Sequence, residues 1–269
     1  MSKISAILSD ADGTLIEGGQ LNNFPLELKE AIQKVRECGI LFNLASGRPY
    51  FEQIELYRLL IKPDIPKRNE GILYEGSRVR LLGESTAHIL GGLSREQIKE
   101  IEEFLDKQNL VAGLVHQANN DKYETQTGYV TTTFISKKRT DIELLEQRFR
   151  KIKPAVENAF PHAEVSMSAD AVDIFYRGLT KARPAIKYSE LTGIPLNQIA
   201  AIGDSGNDMP MLEVVGEERG LVIYVGENPE QIGTIKKYKQ HFIPNHKGPK
   251  GTIEGLEYIL KYNKSGGNK

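Results

Sequence analysis

Two carboxylates with one residue between them, Asp10 and Asp12, stand in the run Leu8-Ser9-Asp10-Ala11-Asp12-Gly13-Thr14, directly after the apolar stretch Ile4 to Leu8. The end of a buried strand holds its first loop residues rigidly, and Gly13 allows the backbone to turn back. A pair of this kind serves as a nucleophile with a general acid/base, or as two metal ligands. A calcium loop is excluded by spacing. With Asp10 at its first position, the sixth, which that loop reserves for glycine, falls on Leu15. Two more acids, Asp204 and Asp208, occur in Gly203-Asp204-Ser205-Gly206-Asn207-Asp208, where the apolar run Gln198 to Ile202 passes into a helical pattern. Converging acids repel each other and raise their pKa values, and a bound divalent cation relieves this. Oxygen ligands without histidine or cysteine favour magnesium over zinc. Magnesium keeps waters and shares its shell with substrate phosphate, so the pattern points to phosphoryl chemistry.

The elements that must bring these residues together alternate between strand and helix. Ile4 to Leu8 reads as a short buried strand, Pro25 to Cys38 as a helix closed by Gly39, and Ile40 to Ala45 as a second strand running into Ser46-Gly47-Arg48. A helix over Pro49 to Leu60, the Pro-rich stretch Lys62 to Lys67, and strands near Ile72 to Tyr74 and Val79 to Leu82 follow. The pattern then changes. Ser94 to Gln97 form a capping box opening a helix to Lys107. Strand-like runs Leu110 to His116 and Tyr129 to Ser136 come next, then a helix from Asp141 to Asn158 and strands Ala163 to Met167 and Val172 to Tyr176. After Lys181 the alternation returns: a helix to Leu191, strand Gln198 to Ile202, helix Met209 to Val215, strand Leu221 to Val225 and two further helices. The expected fold class is therefore α/β. A Rossmann-like parallel-sheet core (residues 1–83 and 181–269) is interrupted by an α+β insert of order αββαββ (residues 84–180). Ligands of such sheets collect at the carboxyl ends of the strands. Three strands end in the polar clusters at Asp10, Ser46 and Asp204, which parallel packing places along one edge.

The chain has 269 residues, with 35 Lys and Arg against 36 Asp and Glu. This near balance argues against nucleic acid or a charged membrane surface as the main partner. The single cysteine, Cys38, is expected as a small core or boundary residue. Few residues precede Asp10, too few for a signal peptide, and no apolar run reaches the roughly 18 residues of a membrane span. The expectation is a soluble, cytoplasmic protein, monomeric or homodimeric, with a disordered tail at Lys264 to Lys269.

The clusters resemble the motifs of the haloacid dehalogenase superfamily in its phosphatase form. Asp10-Ala11-Asp12-Gly13-Thr14 is similar to the first motif, Ser46-Gly47-Arg48 to the second, Lys181 to the third, and Gly203 to Asp208 to the fourth. The resemblance implies a Mg2+-dependent phosphatase of a small phosphate ester, a sugar phosphate or phosphorylated hydroxy acid. Asp10 would be the nucleophile, forming an aspartyl-phosphate. Asp12 would be the acid/base and ligate the metal through its main-chain carbonyl. Asp204 would complete the metal site, with Asp208 binding directly or through water. Ser46 and the Gly47 amide would hold the phosphoryl oxygens, Lys181 would offset charge, and Asn207 would contact phosphate or orient its loop. Arg48 would touch substrate or pair with a core carboxylate. Departures from the family occur at Thr180-Lys181-Ala182, where relatives commonly have glycine after the lysine, and at Asn69-Glu70-Gly71, where relatives often carry Glu-Asn-Gly.

The insert resembles the caps of sucrose-phosphate, mannosyl-phosphoglycerate and archaeal phosphoglycolate phosphatases and of phosphomannomutases, which contact the leaving group. Candidates for that contact are His116, Asn119, Asn120, Lys122, Tyr123, Glu124 and Thr131 to Thr133. His88, His162, His241 and His246 show no ligand spacing, and the basic, glycine-rich Asn245 to Gly251 is expected as a surface loop, with closure of the site rim as the alternative. The alternatives are a phosphomutase and, from another class, a non-catalytic sugar-phosphate binding protein.

Overall fold

The computed structural model describes residues 2–48, 50–61, 69–74, 78–117, 131–136, 142–167 and 171–265. In chain order the elements are β1 (Ala6–Ser9), α1 (Leu26–Glu37), β2 (Leu41–Ser46), α2 (Tyr50–Leu60), β3 (Gly71–Tyr74), β4 (Arg78–Leu81), β5 (His88–Ile89), α3 (Arg95–Lys107), β6 (Leu114–Gln117), β7 (Thr131–Ser136), α4 (Ile142–Ala159), β8 (Ala163–Met167), β9 (Ala171–Tyr176), α5 (Ala182–Thr192), β10 (Ile199–Gly203), α6 (Met209–Glu217), β11 (Leu221–Tyr224), α7 (Pro229–Ile235), β12 (His241–Phe242) and α8 (Gly248–Lys264).

Contacts divide the chain into two units, Met1–Leu90 with Thr180–Lys269, and Gly91–Leu179. The first holds an eight-stranded sheet of order β12-β11-β10-β1-β2-β3-β4-β5. Strands β12 through β3 run parallel, and β4 and β5 antiparallel. Strands β1, β10 and β11 are buried along their whole length, which accounts for their near-continuous apolar sequences. Alternate residues feed two cores. Ile7, Phe42, Leu44, Ile202 and Ile223 pack with α1, α2 and α8, while Leu8, Ala45, Ala201, Val222 and Tyr224 pack with α5, α6 and α7.

The expected junction at residue 84 differs from the division before Gly91, because β5 bonds to Arg78 and Val79 of β4. Two residues carry no alternation, so neither β5 nor β12 is readable from sequence.

The second unit is an antiparallel sheet of order β6-β7-β9-β8. Its core joins Ile98, Ile101 and Leu105 of α3 and Leu145, Ile152 and Val156 of α4 to Phe134, Val165, Val172 and Ile174 of the sheet. The Ser94–Gln97 capping box forms as expected. The strand expected from Leu110 begins only at Leu114. Asn109 takes a left-handed conformation (φ 53°), and the Leu110 amide donates to Leu105 O, so Leu110 and Val111 cover the end of α3. Cys38 caps the end of α1 and is exposed rather than buried. His116 and Thr131 to Thr133 lie in β6 and β7, whereas Asn119, Asn120, Lys122, Tyr123, Glu124, the Pro-rich stretch 62–67 and the tail residues 266–269 lie outside the described residues.

Candidate active site

Strand register assembles the site. Ser9 of β1 faces Ile202 of β10 and Leu44 of β2, so the residues that follow each strand emerge side by side at one sheet edge. The Asp10 amide donates to Ile202 O at 3.0 Å, which fixes the first loop residue to the neighbouring strand. Lys181, at the start of α5, is only 2% exposed. Its Nζ donates to Asp10 Oδ1 at 2.6 Å and to Asp208 Oδ1 at 2.7 Å. The other oxygen of Asp208 accepts from the amides of Asp204 and Ser205 and from Ser205 Oγ, folding the loop onto the start of α6. Asp204 Oδ1 accepts from Thr14 Oγ1 at 2.8 Å, tying the loop after β10 to the loop after β1.

Backbone space enforces this closeness. Gly13 has φ +75°, and a Cβ there would stand 2.4 Å from Asp204 Oδ2. At Gly203 a Cβ would stand 2.4 Å from the Cβ of Asp208. Carboxylate oxygens of Asp10, Asp204 and Asp208 thus lie within 4.8 Å of one another.

Burial pushes Asp10 well above the ordinary carboxylate range, and the charge of Asp208 adds to this while Lys181 opposes it. Burial followed by the charge of Asp208 raises Asp204 to about 6, against the hydrogen bond from Thr14. Among the described residues Lys181 is the cation paired with this cluster, which leaves negative charge uncompensated. An all-oxygen donor set with surplus negative charge fits a hard divalent cation.

Asp12 is placed differently. Its carboxylate is 45% exposed and stands outside the acidic cluster, in a bidentate pair with Arg48 at 2.6 Å for both bonds. Arg48 also pairs with Glu52 at 2.6 Å, and neither of its carboxylate partners is a core residue. Ser46 is buried, its Oγ accepting the Arg48 amide at 3.2 Å, and Gly47 lies between them in the loop after β2. Asn207 is exposed, and its Oδ1 accepts from Ser205 Oγ at 2.6 Å, which orients the loop.

Several supporting residues were not singled out by sequence. Buried Gln53 donates to Ser46 O at 3.0 Å and Arg48 O at 2.7 Å, anchoring the loop after β2 from inside α2. Its spacing from Arg48 carries no motif signal. The stretch Asn245 to Gly251 runs into α8, which binds the strand end at Val225 and, through Thr252, the first motif. The Gly248 amide donates to Val225 O, and Thr252 Oγ1 donates to Thr14 O at 2.7 Å. The departure at Asn69-Glu70-Gly71 also has a structural account. Glu70 is fully buried, receives Arg36 Nε and Nη2 at 2.8 Å each and Tyr57 Oη at 2.5 Å, and also accepts the Phe42 amide. These donors overcome burial and hold its pKa below the usual range. His88 and His246 each pair with a glutamate of their own neighbourhood, Glu84 and Glu254.

A family model described as haloacid dehalogenase-like hydrolase matches residues 7–143 and 114–238. Phosphoglycolate phosphatase 1 of Saccharolobus solfataricus is 24% identical over 259 residues, which is 96% of this chain and 96% of its own length. A 5-amino-6-(5-phospho-D-ribitylamino)uracil phosphatase of Escherichia coli is 23% identical over 279 aligned residues, covering 96% of this chain and 97% of that protein. The crystal structure of a haloacid dehalogenase-like hydrolase from Bacteroides thetaiotaomicron matches with a TM-score of 0.73 at 16% identity, over 96% of this chain and 100% of the other. Among the described residues no helix is long and apolar enough to cross a membrane.

Proposed function

Because the chain belongs to the haloacid dehalogenase-like hydrolases and is a phosphatase of a phosphorylated small molecule, we propose that it works through an aspartyl-phosphate on Asp10 with magnesium as cofactor. The observation that carries this reading is the buried Lys181 bridging Asp10 and Asp208, with Asp204 beside them. A polar binding site has no need of a buried carboxylate held beside a buried ammonium. A nucleophile that must take and release a phosphoryl group does.

In the first half-reaction a carboxylate oxygen of Asp10 forms a bond to phosphorus while the bond from phosphorus to the leaving oxygen breaks. Asp12 gives that oxygen its proton. In the second, Asp12 takes a proton from water as the water oxygen attacks phosphorus, and the bond to Asp10 breaks to release phosphate. Lys181 keeps the Asp10 carboxylate oriented and offsets charge on the transferring group. The Ser46 hydroxyl and Gly47 amide are assigned to the phosphoryl oxygens, and Asn207 to the loop that carries Asp204. Magnesium, when bound, would neutralise the cluster and polarise the phosphoryl group. Asp10, Asp204 and the Asp12 carbonyl are the ligands assigned to it. Asp208, whose oxygens already accept from Lys181 and the Asp204–Ser205 loop, would act behind them.

The substrate class proposed is a sugar phosphate or a phosphorylated hydroxy acid. Of the two relatives above, one is named for phosphoglycolate, a phosphorylated hydroxy acid, and the other for a phosphorylated ribityl chain, a polyol related to a sugar. A screen of such esters with magnesium, reading released phosphate, tests it. A mutase would interconvert isomers and release little phosphate. Asp10→Asn is expected to abolish turnover while leaving the fold intact, and full magnesium-dependent turnover by that variant would sink the mechanism.

A further inference from the structure

Arg48 has almost no donor left for a substrate. Its Nε donates to Asp12 Oδ2 at 2.6 Å and its Nη1 to Glu52 Oε2 at 2.6 Å. Its Nη2 donates to Asp12 Oδ1 at 2.6 Å and to the Gly19 carbonyl at 2.7 Å. Four of the five N–H groups of the guanidinium are thereby engaged by the protein. A bidentate grip on a phosphoryl group needs two N–H groups side by side, and that edge of the fork already faces Asp12.

The main chain of Arg48 is held separately from its side chain. Gln53 donates to Arg48 O, and Ser46 Oγ accepts from Arg48 N. Three anchors thus aim the guanidinium: Glu52 from α2, Gly19 from the loop after β1, and the backbone clamp of Gln53. What they aim it at is the Asp12 carboxylate, which is 45% exposed and would otherwise turn freely about its side-chain bonds.

We propose that Arg48 is a positioning residue that orients the Asp12 carboxylate for proton transfer, and does not bind the phosphoryl group. This rests on Asp12 being the acid/base of the reading above. Each Asp12 oxygen accepts one N–H from Arg48 and keeps a second lone pair for the travelling proton. The fork geometry matters here, because a lysine ammonium offers charge without two parallel donors.

The test compares the enzyme with Arg48→Met and Arg48→Lys, in magnesium, on p-nitrophenyl phosphate and on an alkyl phosphate, with inorganic phosphate as competitive inhibitor. General acid catalysis contributes about 10²–10⁴-fold, so loss of its orientation is expected to lower kcat/KM, which reports formation of the aspartyl-phosphate, by about 10-fold or more on the alkyl ester. The aryl ester, whose leaving group needs little protonation, is expected to fall by less than about 3-fold. The inhibition constant of phosphate stays unchanged, and Arg48→Lys behaves like Arg48→Met. The proposal is overturned by a phosphate inhibition constant that weakens about 10-fold or more, since about 1.4 kcal/mol of anion binding would then come from Arg48. It is equally overturned by unchanged kcat/KM on the alkyl ester, by kcat/KM losses that are the same for both esters, or by full rescue with lysine. Failure of the aspartyl-phosphate reading would show separately, as turnover retained in Asp10→Asn.

Discussion

Lys181 is the residue on which the charge balance of the cluster turns, because it is the cation that reaches both Asp10 and Asp208 in a buried setting. Removing one partner of a buried ion pair leaves the other charges unpaired, which costs about 3–5 kcal/mol. Lys181→Met is therefore expected to lose stability on that scale at neutral pH, read by urea denaturation. The loss should shrink at acid pH, where the carboxylates take up protons. Turnover should fall about 10²-fold or more, since a preorganised cation is lost. A variant as stable as the parent at neutral pH would contradict the pairing. Lys181 stands at the return into the core with its Nζ 2.6 Å from Asp10, and Ala182 follows it where glycine is common among relatives. Residue types alone leave Arg48 equal between contact with substrate and pairing with a core carboxylate. Choosing between them needs the positions of Glu52 and Gly19, which approach from separate segments.

At the scale of elements, the strand ends matter more than the strands. Gly203 closes β10 with Asp208 folded directly above it, and β1 and β11 flank the strand on both sides, so nothing can shift to admit a methyl group. Gly203→Ala is expected to cost about 1–3 kcal/mol as overpacking and to weaken the magnesium response of turnover, measured by denaturation and by a magnesium titration. An unperturbed variant would show that the loop has more room than its geometry implies. The main strands and helices were readable because their apolar patterns are long and their caps are explicit, as at Ser94 and Gly39. What was not readable had local reasons. The strands β5 and β12 are two residues each, and the Leu110 run reads as strand until Asn109 turns the chain. The tie between Thr252 and Thr14 joins residues near opposite ends of the chain, a distance over which composition carries no signal.

For the whole molecule, the raised acids predict how stability answers to pH and metal. Asp204 moves from an ordinary 3.8 to about 6 in the folded protein, so the fold favours its protonated form. Its contribution to stability is full below the lower value and is lost as pH rises through the higher one. Magnesium selects the ionised form, so its stabilisation should grow across the same window. Thermal denaturation with magnesium and with chelator is expected to show a clear rise in Tm at pH 7 and little at pH 4. Equal rises at both would rule out the acidic cluster as the magnesium site. A consequence for synthesis follows from the sheet order, in which β1 lies between β2 and β10. A ribosome delivers β1 and β2 early and then the whole of Gly91–Leu179 before β10 exists. For most of translation β1 therefore offers one bare hydrogen-bonding edge, and Asp10 waits beside it without Lys181. The nascent chain is thus open to edge-to-edge association until its final third emerges.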